Sequence, residues 1–346
     1  MNELVLVTGG TGFIGSHTAV ELIQAGFRVA IIDNLSNSRK EVVDGIEKIT
    51  GKRPAFEKID LLEETLLDDF FSRYPDITAV IHFAAFKSVP ESVQKPLMYY
   101  ENNIFSLIHL FKLMVKYGVK YFVFSSSCTV YGEPDILPVT ENSPIKKANS
   151  PYGSTKQISE EIIASSIAAG LPLKAISLRY FNPIGAHPSG FIGELPIGIP
   201  GNLVPFITQT AYGIHKELRV FGDDYDTPDG SCIRDYIDVV DLSKAHVNAI
   251  DRLLRERNKL NYEIFNLGTG KGISVLEMIK AFERSTGVKI NYRITGRREG
   301  DVPQVWADTS LANNELGWKS ETPLEDTLYS AWKWEQYYRN ESRSKK

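Results

Sequence analysis

Cysteine is almost absent: Cys128 and Cys232 are the only two among 346 residues. Two cysteines cannot build the disulfide framework of a small secreted domain, and neither has the paired spacing of a metal site. The scarcity leads us to expect a reducing cytoplasm and no metal. An excess of positive charge is missing too. Lys and Arg number 39 against 43 Asp and Glu, a formal net charge of −4. That balance argues against nucleic acid as the main partner, because such proteins carry a basic face. The basic stretch from Arg339 to Lys346 reads as a solvated terminus. No segment approaches the ~18 uninterrupted apolar residues of a membrane span. The first apolar run starts at Leu4, so no secretory leader is expected. Internal repeats and low-complexity tracts are also lacking. What remains is an ordinary globular composition, 42% hydrophobic and 24% charged, on a chain long enough for two lobes.

The most informative segment comes first. Leu4 to Val7 are apolar and β-prone, then Thr8-Gly9-Gly10-Thr11-Gly12-Phe13-Ile14-Gly15 follows, and a helical pattern begins at Ser16. Strand, glycine turn and helix in that order form the context of a dinucleotide fingerprint. The spacing Gly9, Gly12, Gly15 differs from the G-x-G-x-x-G of most dehydrogenases. Glycines let backbone N–H groups approach a pyrophosphate at the positive end of the new helix. A second apolar run, Val29 to Ile32, ends in Asp33, at about the spacing where an acid meets an adenosine ribose. An acid there favours a free 2′-hydroxyl over a 2′-phosphate, which predicts NAD as the cofactor.

Short apolar runs alternate with helical stretches through the first half. Strands are expected at 3–8, 28–33, 54–59, 78–83, 120–125 and 173–179, and helices at 14–25, 39–50, 63–73, 97–117 and 152–169. The pattern predicts an α/β fold, a doubly wound parallel Rossmann-type sheet with a smaller mixed α/β substrate-binding domain. Residues 1–182 are assigned to the first domain and 183–346 to the second, with a segment near 235–250 as a candidate to return to the first. Residues 183–202 are dense in Gly and Pro, and a loop of that length in a compact domain is usually functional. Further helices are expected at 203–213, 239–255, 274–286 and 309–316.

The chemistry-bearing residues come late in the first half. A strand Tyr121–Phe124 runs into Ser125-Ser126-Ser127, and Ser150-Pro151-Tyr152-Gly153-Ser154-Thr155-Lys156 opens a helix. Tyr152 and Lys156, four apart, share a helical face. A tyrosine with its ordinary pKa near 10 is a poor base at neutral pH, and a nearby ammonium favours the phenolate. Lys156 can also donate to ribose hydroxyls, and Ser127 can hydrogen-bond a substrate hydroxyl. Base, activating charge and cofactor face are what hydride transfer from a secondary alcohol requires. His82, at a strand end, reads as a structural hydrogen-bonder, whereas His187 suits either a structural or a ligand role.

In order along the chain, these features resemble the extended short-chain dehydrogenase/reductase superfamily. Within it, the chain is similar to the UDP-glucose 4-epimerase family over nearly its whole length. The residues that carry the resemblance are Thr8 to His17, Asp33-Asn34-Leu35-Ser36-Asn37-Ser38, His82-Phe83-Ala84-Ala85-Phe86-Lys87 and Tyr99 to Asn103. Ser125 to Gly132, Ser150 to Lys156, Arg179 to Ala186, Arg234 to Ile237 and Arg297 to Pro303 complete the set.

The resemblance implies a UDP-hexose bound over tightly held NAD. Tyr152 removes the proton of the sugar 4-hydroxyl as the C4 hydride leaves. The 4-keto sugar turns about its diphosphate link, and return of the hydride inverts C4 with no net redox change. It further implies that Phe13, Ile14, Asp60, Leu61, Phe83, Ala84, Ala85, Lys87, Asn102 and Phe181 line NAD beside the glycines, the 33–38 stretch and the Ser127, Tyr152, Lys156 set. Lys87, Ser127, Tyr152, Tyr180, Asn182, Asn202, Leu203, Phe221, Arg234, Arg298 and Asp301 would meet the UDP-sugar. Guanidinium groups such as Arg234 and Arg298 suit a diphosphate because they bond it in bidentate fashion.

The family places either a bulky tyrosine or a small residue against the sugar downstream of Arg298 to Asp301. Here that position is Val305, which leaves room for a 2-acetamido group and predicts acceptance of UDP-GlcNAc and UDP-GalNAc. A homodimer paired through two helices per subunit, 90–117 and 152–169, is implied as well. The rival within the superfamily is a 4,6-dehydratase, which needs an Asp-Glu pair after the strand-end Thr. Ser127-Cys128-Thr129-Val130 supplies no carboxylate. A UDP-glucuronate decarboxylase is disfavoured on the same motif grounds. A non-catalytic NAD-binding scaffold would be free to lose Tyr152 or Lys156, and this chain has both.

Overall fold

The computed structural model of the chain describes residues 3–298 and 300–344. Glu299 of the Arg298–Asp301 motif and Lys345 and Lys346 of the basic tail lie outside the described residues. The first half runs β1 (Leu4–Thr8), α1 (Phe13–Gln24), β2 (Arg28–Asp33), α2 (Val42–Thr50), β3 (Ala55–Lys58), α3 (Glu64–Arg73) and β4 (Ile77–His82). It continues through α4 (Val89–Gln94), α5 (Pro96–Tyr100), α6 (Ser106–Lys116), β5 (Tyr121–Ser127), α7 (Pro151–Ala168) and β6 (Lys174–Tyr180). The second half is made of β7 (Asn182–Ile184), α8 (Leu203–Ala211), β8 (Leu218–Phe221), β9 (Ile233–Arg234), β10 (Tyr236–Asp238) and α9 (Val239–Leu254). After these come β11 (Tyr262–Leu267), β12 (Ile273–Ser274), α10 (Val275–Thr286), β13 (Tyr292–Thr295), β14 (Gln304–Val305) and α11 (Leu324–Ser344).

Seven strands form one parallel sheet in the order β3-β2-β1-β4-β5-β6-β11. Its strands are apolar almost throughout because both faces are covered. The two-residue alternation of β1 shows the consequence: Val5 and Val7 enter a core with Val20, Ile46 and Leu242, whereas Leu4 and Leu6 enter another with Phe70, Leu110 and Ile163. The doubly wound α/β arrangement expected from the alternation is therefore the one observed. The strand order reverses between β1 and β4, and in such sheets the ligand crevice opens at the carboxyl ends beside that reversal.

Later elements form a third apolar cluster, which includes Val204, Ile207, Val220, Phe282, Leu328 and Trp332. Around it lie short ladders: β7 with β10, β8 with β13, and β9 held between β12 and β14. Helix α9 packs on the first sheet, and β11 forms that sheet's edge.

Three expectations needed adjustment. The helix expected over 97–117 is interrupted. A π-type turn at Glu101–Phe105 separates α5 from α6, with helical dihedrals at Tyr100 and Ser106 on either side. The helix expected at 309–316 begins at residue 310 and takes π-type form over Ala312–Leu316, stopped by left-handed Gly317. Strand β11 and helix α11 were not anticipated. In β11, Glu263 and Asn266 interrupt the apolar run, and both are buried with partners that only the fold supplies.

Candidate active site

Glycine is required at the first turn by space. Gly9 has φ +67°, and a Cβ on it would lie 2.7 Å from the Ala84 amide nitrogen. A Cβ on Gly15 would lie 2.4 Å from the Gly9 carbonyl oxygen. Gly12 is the N-cap of α1 and offers no side-chain acceptor, so Phe13 and Ile14 begin the helix with its amino end uncapped by a side chain. At the end of β2, Asp33 accepts from the Thr11 amide (3.2 Å), the Leu35 amide (2.9 Å) and the Ser38 hydroxyl (3.0 Å). Asn34 donates to Asp60 at 2.9 Å and accepts from the Ser36 amide, while Asn37 is exposed. Leu61 is buried. A carboxylate has about four lone-pair sites, so the three donors that orient Asp33 leave capacity for a ribose hydroxyl. These features fit a dinucleotide.

Phe83, Ala84 and Ala85 follow β4, and the Phe83 ring lies tilted against His246 of α9 at 4.8 Å between ring centroids. Asn102 donates to Asn103, which in turn bonds the Phe86 backbone and Thr155 and so ties this stretch to α7. His82 is hydrogen-bonded to the Thr8 hydroxyl at 2.8 Å and buried, as its structural reading anticipates.

Ser150 and Pro151 start α7 by cap and preset φ, with the Ser150 hydroxyl accepting from the Gly153 amide at 3.2 Å. That start sets Tyr152 and Lys156 one turn apart. Ser127 ends β5 as the register partner of Tyr180 on β6, and its hydroxyl hydrogen-bonds Tyr152. Burial pushes the Tyr152 phenol up to about 12, with the Ser127 bond a smaller opposing influence. Lys156 Nζ donates to the Ser125 carbonyl at 2.6 Å and lies 4.7 Å from the Phe124 ring centroid and 5.9 Å from that of Tyr152. Burial draws the lysine down to about 7, partly countered by Glu160. In the protein alone Tyr152 is thus a neutral phenol, and its use as a base depends on positive charge brought close to it. The neighbouring Cys128 thiol is pushed up to about 12 by burial, which removes it as a competing nucleophile at neutral pH.

Opposite this edge stand residues from the second half. Phe181 and Asn182 follow Tyr180 directly, and Asn182 pairs with Tyr236. Arg234 on β9 is the register partner of Val305 on β14. Val305 is buried with Phe181, Val130 and Ala307, and Cys128 packs against the same group. Arg298 forms a close pair with Asp301 and lies 5.6 Å from the Phe221 ring centroid. Asn202 occupies the N-cap position of α8, ahead of Leu203, without a side-chain cap bond and donates to Glu194 at 2.8 Å; Lys87 Nζ is 3.4 Å from the same oxygen. His187 accepts from the Ser189 amide at 3.2 Å, a local loop bond. Among the described residues, no cluster of three or more His, Cys, Asp or Glu side chains is placed to hold a metal, and no helix is long and apolar enough to cross a membrane.

Three residues were not singled out for a role by the sequence reading. Glu160, one turn beyond Lys156, accepts from Ser126 at 2.6 Å and is bridged by Arg179 at 2.5 and 2.9 Å. Its spacing from Lys156 was the available signal. Asp235 is buried and accepts from the Thr269, Gly270 and Ala307 amides, which fixes the chain on both sides of Arg234 and Val305. Glu194 had no signal beyond its place in the Gly/Pro loop.

Comparison with known proteins distinguishes among hydride-transfer enzymes of this fold. A family model described as GDP-mannose 4,6 dehydratase matches residues 6–330. The UDP-glucose 4-epimerase of Bacillus subtilis (strain 168) is 48% identical over 331 residues, 96% of each chain. The crystal structure of a Stenotrophomonas maltophila UDP-glucose-4-epimerase with bound NAD and formylated UDP-arabinopyranose superposes with a TM-score of 0.94 at 47% identity, covering 98% of this chain and 99% of that one. A Bifidobacterium longum UDP-glucose 4-epimerase in complex with NAD+ and UDP gives 0.93 at 46%, covering 97% and 99%. With full-length similarity to epimerases and no dehydratase carboxylates after Ser127, the chain belongs to the UDP-glucose 4-epimerase family of the extended short-chain dehydrogenase/reductase superfamily.

Proposed function

We propose that this chain interconverts UDP-galactose and UDP-glucose by inverting the hexose at C4, with NAD held at the glycine turn. The observation that carries the reading is the meeting of Ser127, Tyr152 and Lys156 at the carboxyl edge of the sheet whose first strand leads into the Gly9 to Gly15 turn. Bound NAD supplies a hydride acceptor that returns the same hydride, together with a positively charged ring. Asp33 orients the adenosine ribose, and Lys156 serves the second ribose and adds charge beside the phenol. Tyr152 takes the proton of the 4-hydroxyl as C4 is oxidised and returns it to the carbonyl oxygen as C4 is reduced. Ser127, bonded to Tyr152, steadies that oxygen. Arg234 and Arg298 grip the diphosphate while the sugar, held less firmly, turns over.

Val305 supports acceptance of UDP-GlcNAc and UDP-GalNAc, since its side chain leaves space that a tyrosine ring would fill. Exposed Val93, Leu97 and Phe105 on the α4–α6 stretch support a homodimer through this face and α7. Two free cysteines support a cytoplasmic setting, and galactose use is the metabolic role that this chemistry serves.

The test is a coupled assay without added NAD or metal, offering UDP-galactose and, separately, UDP-GalNAc. Formation of UDP-glucose is expected, with the rate unchanged by a chelator. No UDP-glucose from protein that carries bound cofactor overturns the reading. UDP-glucose without UDP-GlcNAc removes the pocket argument alone.

A further inference from the structure

The loop between β7 and α8 contains an acid that the proposed reaction leaves without a task. Glu194 stands just after a short hairpin closed by the Ala186–Gly193 bridge. Both sides of that hairpin are fixed by close packing. Ile192 is buried in the first core, and a Cβ on Gly45 of α2 would come within 2.7 Å of its Cγ2 atom. Gly193 lies against the Trp334 indole, where a Cβ would be 2.4 Å from the ring. Trp334 Nε1 also donates to the Glu194 carbonyl at 3.0 Å.

With its backbone held in this way, the Glu194 side chain is 12% exposed and points Oε1 at two groups. One is Asn202 Nδ2 at 2.8 Å, and the other is Lys87 Nζ at 3.4 Å. Lys87 follows β4, and its ammonium lies 6.0 Å from the ring centroid of Phe13, the first residue of α1 after the glycine turn. Asn202 belongs to the nucleotide-sugar side. Asn at an N-cap ordinarily bonds its own helix, yet Asn202 makes no cap bond and turns to Glu194 instead. The lysine is half exposed, and an ion pair of that kind contributes little to stability. Its geometric effect is larger, because one carboxylate oxygen fixes two donors that arrive from separate halves of the chain.

We propose that Glu194 is a positioning residue that holds Lys87 and Asn202 in a single arrangement, so that the cofactor side and the nucleotide side of the site are set before the UDP-sugar arrives. This rests on the assignment of Lys87 and Asn202 made above. The experiment is a calorimetric titration of the holoenzyme with UDP, accompanied by KM and kcat for UDP-galactose.

Glu194→Ala is expected to weaken UDP binding about tenfold and to raise KM more than it lowers kcat. Glu194→Gln, whose amide oxygen still accepts from Asn202, should fall between the two. Lys87→Met combined with Glu194→Gln should lose no more than Lys87→Met alone, because the two side chains act through one contact. For Glu194→Ala and Glu194→Gln, thermal midpoint and retained NAD absorbance should match the parent, which a purely structural role would not allow. If Asn202→Ala weakens UDP binding while Glu194→Ala leaves it unchanged, the positioning role is overturned and the nucleotide assignment stands. Fully additive losses in the double variant overturn it too. UDP binding unaffected by Asn202→Ala overturns the nucleotide assignment and the positioning role together.

Discussion

Arg234 and Val305 stand side by side as register partners on two-residue strands, with Arg234 also donating to the Ile233 carbonyl at 2.8 Å. The guanidinium proposed to grip the diphosphate and the side chain proposed to bound the sugar pocket are thereby fixed in one ladder. Asp235 pins that ladder from behind through the Ala307 amide at 3.2 Å.

Val305→Tyr places a ring in the pocket and should reduce UDP-GalNAc turnover about 100-fold relative to UDP-galactose. The check is the ratio of the two kcat/KM values. An unchanged ratio would remove Val305 as the boundary of the acetamido site.

Tyr152→Phe deletes the phenolic oxygen but keeps the ring. Epimerisation should fall about 10²- to 10⁴-fold with NAD still bound and the melting temperature close to the parent's. A rate within a few-fold of the parent would exclude Tyr152 as the base.

Acid should destabilise the protein over a defined window. Burial lowers His17 and His82 to about 3 and His246 to about 4, so all three are neutral in the folded protein. The unfolded chain protonates them below about pH 6.5 and so binds more protons than the folded one. Stability accordingly falls as pH drops from about 6.5 to about 4, by about 1.4 kcal/mol per pH unit for each histidine. Urea unfolding across that range should show the slope, and His246→Gln should remove about one proton's share of it. Identical slopes would contradict the assignment.

The buried Glu160–Arg179 pair should behave asymmetrically. Glu160→Leu alone leaves a buried guanidinium without its partner and should cost about 3–5 kcal/mol. Adding Arg179→Met should recover most of that loss. Denaturant unfolding of the two variants decides the matter, and a single variant as stable as the parent would refute it.

At the proposed dimer face, Leu97 is 80% exposed on α5. Leu97→Glu should convert a species of twice the 38.8 kDa chain mass to a monomer in light scattering. A parent already monomeric would end the proposal.

Local spacing made the first half of the site readable. A glycine turn between strand and helix, an acid at the next strand end, and Tyr152 and Lys156 one turn apart follow from backbone periods that a sequence displays directly. The parallel sheet was readable for the same reason, since strands covered on both faces appear as continuous apolar runs. Asn202, Arg234, Arg298 and Val305 had no such signal of their own, and only resemblance to a family pointed to them. Arg234 and Val305 meet through a two-residue ladder between segments far apart in sequence, and elements that short carry no period. The tertiary structure alone decided that β11 joins the first sheet, that Glu160 and Arg179 share one buried network, and that Glu194 faces both Lys87 and Asn202. In each case a buried or half-buried polar group is accommodated by a partner that only folding brings near, and sequence periodicity records burial but not the partner.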